Sequence, residues 1–185
     1  MATRNMPANA PSLLAPWSPF FVTVGSSSAA LIGLMFVVIT LVTGVERARR
    51  SQDGLATFST PTVLHFCGAL LVSAILSAPW GALVYPGAVI AVAGLYGVIY
   101  VVRVMLRTRR LTVYVPDLED WAWYSGLPLL AYGAIFAGGA ALAVVPAAAL
   151  FALAGGVLLL IFIGIRNAWD IVTFLAVGGP NGPPE

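Results

Sequence analysis

The chain has 185 residues, of which 60% are hydrophobic and only 9% charged. A soluble domain carries about 25% charged residues, so this composition belongs to a membrane protein. The formal net charge is +2 and all nine basic residues are Arg. No basic run has the interleaved aromatics that grip nucleic acid, which removes that partner class. The lone cysteine, Cys67, leaves no intramolecular disulfide or thiol relay. The lone histidine, His65, leaves no haem with two histidine ligands from one chain, and His and Cys are too few for a zinc site. No metal and no cofactor are expected.

Residues 1–18 read as a flexible tail rich in Pro, Ala and Asn, ending on Trp17, an interfacial anchor. No cleavable signal is expected, because the apolar stretch beyond Arg4 is too long for one and lacks a small-residue cleavage site. The first span, about 19–44, contains FFVTVGSSSAALIGLMFVVITLVT without a charge, and is long enough to cross a bilayer. Gly25, Ala29 and Gly33 recur every four residues, forming a helix-packing face where backbones can approach closely. This helix is therefore expected to sit against several partners and away from the bundle's edge.

A connection with Arg47, Arg49 and Arg50 follows, and the second span runs over about 58–79, opening on Ser59-Thr60-Pro61. Ser59, Thr62, Ala69, Ser73 and Ser77 share a stripe, with His65 to one side. Such a stripe lines a water path, or lets helices pack and bond across their interface. The third span, about 87–106, ends among Arg103, Arg107, Arg109 and Arg110, with Tyr96, Tyr100, Arg103 and Arg107 on one face. That face suits an anion-attracting vestibule or an anchor to acidic head groups. Asp117, Glu119 and Asp120 precede the fourth span, about 122–145, and favour a helix N-terminus. The fifth span covers 147–170 or extends to 177, and 178–185 form a flexible tail. In it Arg166 and Asp170 are four apart and can pair, with Asn167 beside them.

Both Arg-rich connections follow odd-numbered spans. The positive-inside rule then predicts an all-α, polytopic membrane helical bundle of five transmembrane helices, N-terminus outside and C-terminus cytoplasmic. Charged residues within spans are costly and are candidates for function. By span direction His65, Arg103, Arg166, Asn167 and Asp170 all fall in the cytoplasmic half and form the candidate polar or transport site. Neither HExxH, GxSxG nor a phosphate-binding glycine loop with Lys occurs, so no catalytic residue and no enzyme are expected.

The segments FFVTVGSSSAALIGLMFV, FSTPTVLHFCGALLVSA and IGIRNAWDIVTFLAV resemble a group of small multi-pass bacterial membrane proteins with no established activity. The resemblance touches three of the five spans. It implies a multi-pass bundle in the bacterial inner membrane and supplies no catalytic residues. The expected function is that of a non-enzymatic integral membrane component acting through helix–helix contacts. Its partners are the lipid bilayer and either a homo-oligomer or another membrane protein. The alternative is a small channel or transporter using the cytoplasmic polar site. An intramembrane enzyme acting on lipid requires His65 and Asp170 within hydrogen-bond reach or one water of each other.

Overall fold

The computed structural model describes residues 10–47, 55–108 and 122–176, and among these every regular element is helical. A short helix α1 (Ala10–Leu14) and a 3-10 turn (Ala15–Trp17) lead into α2 (Ser18–Arg47). Helices α3 (Leu55–Ser77) and α4 (Val84–Thr108) follow, then a π turn (Ala122–Gly126), α5 (Leu127–Ala141) and α6 (Pro146–Ala176). Three stretches are long and apolar enough to cross a membrane: Ala10–Thr40, Val84–Leu106 and Pro146–Asp170. Arg49, Arg50, Arg109 and Arg110, the acidic run Asp117, Glu119 and Asp120, and the C-terminal tail lie outside the described residues, while Arg47 and Arg107 fall in the last turns of α2 and α4.

Several boundaries differ from the expected ones, each for a local reason. Residues 10–17 are helical where a flexible tail was expected, and Ala10 and Leu14 are buried. Trp17 is held there by the Phe151 ring of α6, edge-on at 4.8 Å. Helix α3 starts at Leu55, ahead of the expected Ser-Thr-Pro signal, so Pro61 lies inside it. Proline removes one backbone donor there and the helix continues past it. Helix α4 begins at Val84, three residues before the expected start, and takes Pro86 into its first turn, where proline is tolerated. Helix α5 ends at Ala141, whose carbonyl accepts from both Val144 (3.0 Å) and Val145 (2.9 Å) in a tight turn. Helix α6 takes the longer of its two expected ranges.

In space the long helices run in the order α2, α3, α6, α5, α4, with lesser contacts of α2 on α6 and α3 on α4. Helix α6 is central. Its Leu153, Val157, Leu160 and Ile163 are fully buried, and one side of it meets α3 while another meets α5. Helix α2 packs chiefly on α3 and stands at the edge, which corrects the expectation that it sits among several partners. The reason is its bulk: Val22, Leu34, Phe36 and Val37 all point outward. Its inward face is Phe21, Val24, Gly25, Ser28 and Met35. Of the expected packing stripe, then, only Gly25 packs within the chain, against Ser73 of α3. Ala29 and Gly33 face outward, and a side chain at Gly33 would meet nothing within 4 Å.

The closest helix approach lies elsewhere, between α4 and α5. A methyl group on Gly139 would fall 2.5 Å from the Ala91 nitrogen and 2.9 Å from the Gly87 oxygen. The two backbones therefore touch directly, as small residues allow between apolar helices. Close packing of this kind supplies dispersion attraction, the contribution that remains when the surroundings are as apolar as the helices themselves.

Candidate functional site

The inward face of α3 carries Thr62, His65, Phe66, Ala69, Val72, Ser73 and Leu76, spaced three and four apart as one side of a helix requires. His65 is buried, and so cannot leave its polar nitrogens to solvent. Its Nδ1 lies 3.1 Å from the hydroxyl of Tyr132, a buried residue of α5. The same hydroxyl approaches the Leu64 carbonyl at 3.4 Å. A phenol carries one proton. Either Tyr132 donates to Nδ1, or it donates to Leu64 and His65 holds its own proton on Nδ1. In both arrangements Nδ1 is satisfied.

Two glycines on different helices make room for this side chain. A methyl group on Gly97 of α4 would sit 2.1 Å from Cδ1 of the Tyr132 ring, which leaves no residue but glycine at that position. On α3, a methyl group on Gly68 would lie 3.4 Å from both Cε1 and the hydroxyl oxygen. The Tyr132 ring thus fills the gap between α3 and α4.

The hydrogen bond of His65 involves none of the other candidates. Arg166 and Asp170 pair with each other at 3.4 Å, with side chains 39% and 35% exposed. The Arg166 guanidinium also lies over the Trp123 ring, 5.7 Å from its centre. Such a half-exposed pair contributes about 0–1 kcal/mol. Arg103 faces outward on α4. Asn167 is buried, and its Oδ1 has no hydrogen-bond partner.

Antiparallel packing of α3 and α6 fixes the levels of these groups. Gly68 meets Leu160 and Phe66 meets Gly164. Asp170 is six residues beyond Gly164, hence about 9 Å further along α6. His65 and Asp170 share neither a direct hydrogen bond nor an ion pair. Among the described residues no group of three His, Cys, Asp or Glu could hold a metal ion.

Of the hydroxyl stripe, Thr62 and Ser73 face inward, whereas Ser77 is exposed and donates to the Ser73 carbonyl at 2.8 Å. Ser28 and Ser73 are buried hydroxyls on the seam of α2 and α3, and neither has a hydrogen-bond partner. Tyr132 was not among the candidates read from the sequence. Its signal is a single phenol inside the otherwise apolar LPLLAYGAIF. The chain matches no family model, no curated protein and no solved structure.

Proposed function

We infer that this chain is an integral, multi-pass membrane protein whose role is non-enzymatic and rests on contacts with other membrane helices. The five long helices become five spans, with the N-terminus outside and the C-terminus cytoplasmic, because both Arg-rich connections then lie on the cytoplasmic side. A bacterial inner membrane suits this arrangement. The observation that carries the functional reading is the internal pairing of the polar side chains. His65 is tied to Tyr132 and Arg166 to Asp170, so neither pair is set out for chemistry on a substrate. The outward small residues Ala29 and Gly33 supply a face that a neighbouring helix can approach closely.

Native mass measurement of the protein extracted in mild detergent tests this. An assembly larger than one chain, diminished by Gly33→Leu, is expected. A lone chain, or an assembly indifferent to Gly33→Leu, overturns contact through that face.

The unpartnered Oδ1 of buried Asn167 favours a second reading, a small channel or transporter with its polar site in the cytoplasmic half. That reading requires Asn167→Leu and Asp170→Asn to change flux through vesicles at unchanged folded yield. Unaltered flux in both variants removes it.

A further inference from the structure

We propose that the outward face of α4 is a self-association surface, on which two copies of this chain meet about a twofold axis and bond through their Tyr96 hydroxyls. The proposal rests on the membrane reading above and adds to it a contact separate from the Ala29 and Gly33 face of α2, with a second copy as its partner.

The apolar stretch of α4 runs over Val84–Leu106, 23 residues, so its midpoint is residue 95 and Tyr96 stands one residue past it. Tyr96 is 62% exposed, on the same outward side as Val89, Val92 and Ile99. Tyrosine ordinarily sits at the membrane surface, where its ring is in the apolar layer and its hydroxyl is wet. From the centre, the water lies about 15 Å away in either direction, far beyond the length of one phenol. A hydroxyl in hydrocarbon without a partner is unfavourable.

Three outward threonines show how a short hydroxyl avoids this. Thr23 donates to the Pro19 carbonyl at 2.7 Å, Thr40 to Phe36 at 2.7 Å, and Thr173 to Trp169 at 2.9 Å. Each turns back one helical turn onto its own backbone, which a short side chain can do. A tyrosine cannot, because its ring carries the oxygen away from the helix. Tyr96 makes no hydrogen bond within the described chain, while the buried phenol of Tyr132 has His65.

What covers Tyr96 must therefore offer a hydrogen bond at mid-membrane, which acyl chains do not. A second copy offers it without any further residue. A phenol is both donor and acceptor, so two of them facing each other across a twofold axis satisfy one another, and an isologous contact always sets a residue on the axis opposite itself. The bulky residues Val89, Val92 and Ile99 flank Tyr96 at three- and four-residue spacings, the pattern of a left-handed helix pair. Arg103 lies three residues from the end of the span at position 106, so its long side chain reaches the head groups and need not face its own copy.

Disulfide trapping in the membrane tests the contact. The exposed native Cys67 is first replaced, Cys67→Ala. In that background Tyr96→Cys is expected to give an oxidised dimer, while Phe162→Cys on the outward side of α6 gives none. Fluorescence energy transfer between labelled copies in phospholipid vesicles then reads the hydroxyl alone. Tyr96→Phe is expected to weaken association roughly threefold, equivalent to the ~0.6 kcal/mol of an average interhelical hydrogen bond in a bilayer. Equal trapping at 96 and 162, or association unchanged by Tyr96→Phe, overturns the proposal. Alkaline extraction separates this failure from that of the underlying reading: protein released from the membrane overturns the membrane assignment, whereas protein retained without a 96–96 dimer overturns only the α4 contact.

Discussion

Helices α2 and α6 are nearly the same length, 30 and 31 residues, and both are strongly apolar, yet they hold opposite places. Of an apolar 18-residue segment within Ala10–Thr40, 22% is buried, against 50% of one within Pro146–Asp170. Hydropathy does not separate them, since apolar residues face lipid and protein alike in a bilayer. What separates them is the placing of small residues against large ones. On α6, Gly156 admits Ile135 of α5 and Gly164 admits Phe66 of α3, so helices close in from two sides. On α2, Gly25 admits α3, but Gly33 opens onto nothing in the chain. A glycine marks a contact only where a neighbour supplies the bulk.

The sharpest break of this contrast is Gly164→Leu. A methyl group there would already fall 2.5 Å from Cε1 of Phe66, which is itself fully buried and cannot swing away. The variant is expected to lose about 1–3 kcal/mol, the usual cost of overpacking, and thermal unfolding in detergent measures it. No loss of melting temperature would mean that α3 and α6 are not in contact at this level.

A smaller effect of opposite sign is expected at Asn167→Leu. Replacing a buried acceptor that has no partner by an apolar group of similar size is neutral or stabilising by up to about 1 kcal/mol. A clear drop in melting temperature would show that Asn167 has a structural partner. The smallest effect belongs to Gly33→Leu, which is expected to leave the single chain's unfolding within about 0.5 kcal/mol while still diminishing any larger assembly. If the isolated chain melts earlier, α2 is not an edge helix.

The site was legible in parts, and the parts divide by the range of the interaction. The pairing of Arg166 with Asp170 follows from a spacing of four on one helix, and the structure has it. The grouping of His65, Arg103, Arg166, Asn167 and Asp170 rested on a shared depth. Depth says nothing about which way a helix is rotated, so Arg103 turns outward while His65 turns in. Tyr132 escaped notice because the meaning of one phenol in an apolar run depends on which helix stands opposite. Gly68 and Gly97 make its slot only once α3 and α4 are side by side.

The sequence by itself determined that the chain is helical, where its long apolar runs lie, and which charges lie one turn apart. These follow from composition and from contacts within a single helix, which need no knowledge of the rest. Only the tertiary structure decided that α6 is the centre and α2 the edge, that α4 and α5 touch backbone to backbone, and that His65 belongs with Tyr132. Those choices depend on the rotation and neighbours of whole helices. In an apolar chain many rotations bury similar surface, and the few that let glycine meet bulk are selected by packing between segments far apart in sequence.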